Sequence, residues 1–465
     1  MKRLLIVLVA LAVPASSSAQ ESLSADSRAA IDHAVADVLQ ATGAPSASIA
    51  VVKDGAVAYA NAYGRASIDP VVNATPDMRY SIGSISKQFT ATALILLAED
   101  KKLSLDDKVA KWLPDLTRAN EVTLRQVLSM TSGYQDFWPQ DYVMPPMMLP
   151  TTAQQIMNGW AKIPLDFDPG TKWQYSNTNY VIAGAVVERA SGMPLMQFLQ
   201  QRIFSRLGMK SVVDTDQASL GPGDPMRYLR YALGPPRPAP KEGKGWMFGA
   251  GELAMTARDL AVWDISTIDE TILTPASYKT MQTNTLLKNG LATGYGLGVQ
   301  VGATGGRRTV SHTGEVSGFT ASNTIYPDDR AAVVVLTNMD ATSASGQIAQ
   351  KVAATLFRAS SADKDAAAAL AQAKSIFAGL QAGRLDRALF TANANAYFSD
   401  AAIADFASGL GPLGTPQEFE QAQQSLRGGM VFRSFRIKCG AKSLRLSTFT
   451  MPDGRLEQYQ IAATE

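Results

Sequence analysis

A serine followed three residues later by a lysine, Ser84-Ile85-Ser86-Lys87, stands at the head of the apolar run Phe89 to Leu97. The run predicts a buried helix with Ser84 near its first turn. Helix residues three apart share a face, so the Lys87 amine can lie beside the Ser84 hydroxyl. A helix start also offers unpaired backbone N–H groups and the positive end of the dipole. A nucleophile, a base and a seat for negative charge in one turn are the parts of an acyl-transfer serine. The pattern alone is not specific, because Ser361-Ala362-Asp363-Lys364 repeats it in a polar stretch. Two further pieces follow in order, Tyr175-Ser176-Asn177 and His312-Thr313-Gly314, the latter set between expected strands and continuing into Glu315. They add a phenol, an amide, an imidazole and a glycine strand.

The elements that must position these groups can be read in chain order. Ser24 to Leu39 reads as an amphipathic helix with Ser24 as its N-cap and Ile31, Val35, Val38 and Leu39 on one face. Ala47 to Val52 and Ala56 to Tyr63 read as a hairpin turned at Lys53-Asp54-Gly55. Val122 to Leu128 leads to a stop at Thr131-Ser132-Gly133. Residues 134–152 mix aromatic side chains, methionines and prolines, which rules out one regular helix and suggests an apolar loop. Thr178 to Ala190 is helical and ends near Gly192. Residues 221–245 form a long Pro/Gly-rich loop, and long loops in compact domains are often functional. Strands are expected at Tyr295 to Val301, Thr309 to Ser311, Gly318 to Tyr326 and Ala331 to Leu336, then a closing helix from Gln347 to Phe357.

The chain has 465 residues, 46% of them hydrophobic, enough for two or three domains with full cores. Residues 1–19 have a basic start, an apolar stretch and Ser17-Ser18-Ala19, so they read as a cleaved signal peptide that sends the chain to the periplasm or outside the cell. Without Lys2 and Arg3 the remaining 41 basic residues balance 41 acidic ones, so a nucleic-acid partner is not suggested. The single cysteine, Cys439, cannot form an internal disulfide. Two histidines, His33 and His312, without a Cys/His cluster argue against a metal, and no cofactor is called for. The expected partner is a small-molecule or peptide substrate, and the sequence leaves open whether the chain is a homo-oligomer.

The ordered triple, with the flank Thr123 to Gly133, Pro169-Gly170 and Ala332 to Asn338, resembles the penicillin-recognising serine hydrolases: class C β-lactamases, DD-peptidases and related esterases. The resemblance covers about residues 25–357. It implies an α+β fold, an antiparallel sheet flanked by helices plus an all-helical subdomain. It implies Ser84 as acylated nucleophile, with Lys87 and Tyr175 sharing proton transfer and either one able to serve as base. Asn177 would bind a substrate amide and orient Lys87, and His312, Thr313 and Gly314 would line the strand side. The backbone N–H groups of Ser84 and Glu315 would form the oxyanion hole. Histidine stands where class C β-lactamases carry the lysine of Lys-Thr-Gly, which disfavours β-lactam hydrolysis and favours D-peptide or ester substrates. A binding or scaffold protein that keeps the fold without turnover is the alternative from another class.

The resulting division is 1–19 signal peptide, 20–358 catalytic domain, 359–369 linker and 370–465 a small α+β domain. In the last, Leu370 to Leu380 reads as a helix and Met430 to Cys439, Ser443 to Thr450 and Arg455 to Ile461 as strands. Gly383 to Arg387, Leu410 to Gly414 and these strands resemble NTF2-like domains attached to some such hydrolases.

Overall fold

The structure is a computed structural model that describes residues 23–140, 142–357 and 365–464. The signal-peptide reading of residues 1–19, most of the expected linker and the second Ser-x-x-Lys pattern therefore lie outside the described residues. The chain divides into two compact units, one running to Gly302 and resuming over Arg308–Leu356, the other holding Ala303–Arg307 and the chain from Phe357 onward.

A seven-stranded sheet, which belongs to the first unit except for residues 303–307, is ordered Val72–Asn73, Ala56–Ser67, Ser46–Lys53, Ala331–Thr337, Phe319–Tyr326, Arg307–Val316 and Gln300–Thr304. The N-terminal hairpin and the C-terminal meander meet where Ser46–Lys53 pairs antiparallel with Ala331–Thr337. Ala331–Thr337 is buried along its whole length, as a strand covered on both faces must be. Its valines and leucine are what β-branched packing in such a layer selects. Helices Ala25–Thr42 and Ala344–Leu356 pack on each other and on the sheet, and Ala257–Ile268 packs on the same central strands. Ser24 caps the first helix by accepting from Ser27 N, as its position in the sequence suggests.

A helical group stands between the two halves of the sheet in sequence. Ser86–Glu99 packs against Asn177–Ser191, which also contacts Leu124–Leu128, Ala153–Trp160 and Leu195–Leu199. Ser86 to Leu97 is buried without interruption, so this helix has no solvent face. A three-stranded sheet, Tyr80–Ser81, Leu253–Met255 and Val213–Asp214, holds the segment entering it.

Some elements differ from the sequence reading. Residues 295–299 are not strand: Gly296 N donates to Val299 O in a tight turn, and the strand begins at Gln300. His312-Thr313-Gly314 lies inside the strand Arg307–Val316, not between strands. The loop 221–245 contains the small pair Tyr228–Leu229 and Arg237–Pro238.

In the second unit four antiparallel strands, Glu418–Arg427, Met430–Cys439, Lys442–Thr450 and Leu456–Thr464, run in sequence order. Helix Ala366–Gln381 contacts this sheet, and Ile376, Phe377, Leu380, Phe435, Ile437 and Leu446 form its core. Cys439 is buried in that core. The strand Glu418–Arg427 and the helices Ala392–Tyr397 and Asp400–Leu410 are additions to the sequence reading.

Candidate active site

Ser84 sits in a tight turn, Gly83–Ile85, that runs directly into the helix Ser86–Glu99. Lys87, in the first helical turn, points back at it, and Lys87 Nζ lies 2.8 Å from Ser84 Oγ. Two further acceptors complete the amine, Asn177 Oδ1 at 2.8 Å and the Ala250 carbonyl at 2.9 Å. The side chain of Lys87 is fully buried. Burial disfavours its charge and lowers its pKa from 10.5 to about 7, against the opposing charges of Asp136 and Glu252. Near neutral pH the amine thus passes between a cation that fills all three acceptors and a free base whose lone pair can face the serine.

Tyr175 lies two residues before the helix Asn177–Ser191, with Ser176 between them. Its phenol is hydrogen-bonded to Ser84, and Lys87 Nζ lies 5.0 Å from its ring centre. Burial raises the phenol's pKa, partly offset by the bond to Ser84. Tyr175 therefore stays protonated where Lys87 becomes neutral.

The strand carrying His312, Thr313 and Gly314 lies flat against the serine turn. A Cβ at Gly314 would fall 1.9 Å from the Ile82 carbonyl oxygen, and one at Gly83 2.7 Å from Glu315 N. Glycine is required on both sides of this contact. The approach sets the backbone nitrogens of Ser84 and Glu315 at one contact, 3.3 Å from a Cβ at Gly314 and 2.7 Å from one at Gly83, and a pair of N–H groups is what an oxyanion needs. The end of the strand is tied by Ser317 N donating to Glu242 Oε1 at 2.8 Å, so the long loop 221–245 supports the site.

His312 is buried, with Nδ1 2.6 Å from the Thr313 carbonyl and Nε2 3.0 Å from the Tyr295 hydroxyl. The carbonyl can only accept, so Nδ1 carries the proton and Nε2 accepts from Tyr295. Burial, reinforced by Lys87, lowers its pKa from 6.5 to about 3. The imidazole is therefore neutral at physiological pH.

All eight residues singled out in the sequence meet at one place. Ser84, Tyr175, Asn177, His312, Thr313 and Glu315 line a cavity of about 500 Å³, with Lys87 beneath Ser84 and Gly314 against its turn. One wall is apolar, formed by Phe137, Trp138, Val143, Trp246 and Met247, so the aromatic-rich segment 134–152 does reach the site. Three carboxylates, Asp136, Glu315 and Asp340, also line it, and among the described residues no arginine or lysine does. Sequence reasoning missed Asp136, Asp340 and the Ala250 carbonyl. The one available signal was a carboxylate at 136 in an aromatic-rich run, Tyr134 to Trp138. Among the described residues no cluster of His, Cys, Asp and Glu has the arrangement to hold a metal.

The model of the family described as Beta-lactamase matches residues 31–356. A D-aminopeptidase of Brucella anthropi is 28% identical over 310 residues, covering 64% of this chain and 56% of that protein. Penicillin-binding protein 4* of Bacillus subtilis is 27% identical over 311 residues, covering 63% of this chain and 68% of that protein. The chain thus spans about half the length of the curated D-aminopeptidase. Among solved structures, D-amino acid amidase from Ochrobactrum anthropi SV3 superposes with a TM-score of 0.63 at 25% identity, over 72% of this chain and 99% of that one. An octameric penicillin-binding protein homologue from Pyrococcus abyssi shares the fold, with a TM-score of 0.62 at 21% identity over 94% of this chain and 96% of that one.

Proposed function

Because the chain belongs to the beta-lactamase family, we propose that it is a serine hydrolase that opens amide or ester bonds through an acyl-enzyme on Ser84. The observation that carries this reading is the buried Lys87 amine 2.8 Å from Ser84 Oγ, with its pKa brought to about 7. A base is most effective when its pKa lies near the working pH. In this reading Lys87, as free base, takes the Ser84 proton while Oγ bonds to the substrate carbonyl carbon. The N–H groups of Ser84 and Glu315 hold the oxyanion. Tyr175, kept protonated by burial, gives its proton to the departing nitrogen or oxygen and recovers one from Lys87. Water then enters by the reverse proton path and releases the acid.

The cavity's charge supports substrates with a free amine and an apolar side chain over those with a carboxylate beside the scissile bond. Three carboxylates line it, and His312, where class C β-lactamases carry lysine, is neutral. D-Amino-acid amides and peptides with a free N-terminus fit this field, as the similarity to a D-aminopeptidase suggests, and β-lactams fit it poorly. A fluorophosphonate probe tests the nucleophile: it should label the protein, and Ser84→Ala should not be labelled. Turnover of a D-phenylalanine p-nitroanilide should exceed that of its N-acetyl derivative and of nitrocefin. Glu315→Gln should narrow the first gap, and a preference for nitrocefin would overturn this substrate order.

The second unit, with helices on a four-stranded antiparallel sheet, supports an NTF2-like reading. Export through residues 1–19 rests on the sequence, and N-terminal sequencing of the mature chain checks it.

A further inference from the structure

We propose that Asp136 is a positioning residue that fixes the orientation of the Asn177 amide and, through it, of the Lys87 amine. This rests on the reading of Lys87 as the base toward Ser84. The helix Asn177–Ser191 begins without a local cap, since the Ser176 side chain makes no capping bond and its Oγ is buried without a partner. Asp136 supplies the missing acceptor from a distant segment. Its Oδ1 accepts from Asn177 N at 2.9 Å and from Trp138 N at 3.2 Å. Phe137 N donates to Thr178 Oγ1 at 3.2 Å, so the segment is fastened across the helix start.

The second oxygen has the more specific task. Asp136 Oδ2 accepts from Asn177 Nδ2 at 3.3 Å. A carboxylate only accepts, so it holds the NH₂ end of the amide on its own side. The Asn177 carbonyl oxygen must then face Lys87 Nζ, where it lies at 2.8 Å. With the amide turned over, two N–H groups would confront the ammonium and the amine would lose one of its three acceptors. Asp136 thus selects one of two amide orientations that are sterically alike.

The same carboxylate acts on Lys87 through its charge. The charged and titratable groups around the amine are Asp136, Glu252, His312 and the phenols of Tyr175 and Tyr180. Of the two acids, Asp136 does more to favour the cation. Its loss therefore has two opposite signatures: poorer geometry, and a Lys87 that gives up its proton at lower pH.

The test is the pH profile of turnover on p-nitrophenyl butyrate, a neutral ester that does not sense the cavity's charge through its own. Asp136→Asn should lower kcat by about 10- to 100-fold. It should also move the acidic limb of kcat/KM to lower pH by roughly one unit. A residue that merely supports the fold would leave that limb in place. Asp136→Glu keeps the charge but displaces the oxygens, so a lowered kcat with the parental limb is expected, and it serves if Asp136→Asn does not fold. An unmoved limb in Asp136→Asn, a moved one in Asp136→Glu, or full kcat in either overturns the proposal. Ser84→Ala separates the two levels. If it still turns over the ester, the reading of the site fails. If it is inactive while Asp136→Asn keeps the parental limb, only the role of Asp136 fails.

Discussion

The burial of Lys87 should be readable in the stability of the protein, independently of any substrate. Its pKa is about 7 when folded and 10.5 as an ordinary lysine. Between those values the unfolded chain holds one proton more than the folded chain, so stability rises with pH. The stabilisation is fully present above 10.5 and is lost as the pH falls through about 7. The difference amounts to about 5 kcal/mol at about 1.4 kcal/mol per pH unit. Lys87→Met removes the titration but leaves unpaired acceptors at Ser84, Asn177 and Ala250. Those losses are an offset that does not vary with pH, about 1–3 kcal/mol for each acceptor. The measurement is urea unfolding from pH 6 to 10, followed by tryptophan fluorescence. All six tryptophans lie between residues 112 and 263, so the signal reports the first unit alone. Subtracting the variant from the parent cancels every titrating group beyond the reach of the Lys87 charge, which acts on Asp136 and His312. The difference should rise by about 1.4 kcal/mol per pH unit above pH 7 and be flat below it. Parallel curves from pH 7 to 10 would mean that Lys87 ionises in the fold as it does in water, and the case for it as a neutral base would fail.

Two other predictions test packing and buried charge. Gly314→Ala places a methyl group 1.9 Å from the Ile82 carbonyl oxygen, so strand and serine turn must part. Turnover should fall by at least about 100-fold, whereas Gly346→Ala, with nothing within 4 Å of its Cβ, should leave it unchanged; equal effects would refute the close-approach argument. Asp264 is fully buried, receives Asn323 Nδ2 on both oxygens at 2.8 Å, and burial pushes its pKa up to about 8. Its folded value lies above its unfolded one, so the stability it contributes at low pH is lost as the pH rises through about 8. Asp264→Asn should flatten the fall in urea midpoint between pH 5 and pH 9, and an unchanged fall would show that the carboxylate is accommodated.

The sequence carried the chemistry that is local. Ser84 and Lys87 meet because an apolar run enforces a helix and helical residues three apart share a face. Tyr175, Asn177 and the His312 strand were placed by resemblance, since nothing in their own spacing tells a chain which distant helix they will face. The misses are of two kinds. Glu418–Arg427 is rich in glutamine and glutamate, which suit a helix, and becomes a strand through its pairing with Met430–Cys439. Asp136 matters only because its segment returns to the start of a helix forty-one residues later, a closure that periodicity does not record.

Protonation is the deeper gap. That residue 312 is a histidine was visible, but an imidazole can be cationic, a donor or an acceptor, and its composition does not choose. The choice is made by the fold. The Thr313 carbonyl takes the Nδ1 proton, the Tyr295 hydroxyl points at Nε2, and Lys87 lies close enough for its charge to disfavour a second cation. The same burial that frees the lysine to act as a base thus denies the histidine the charge that a lysine would carry there. If the two effects share this cause, opening the site to water by Tyr295→Ala should raise the pKa of both groups together, and NMR titration of His312 alongside the acidic limb of turnover would follow each.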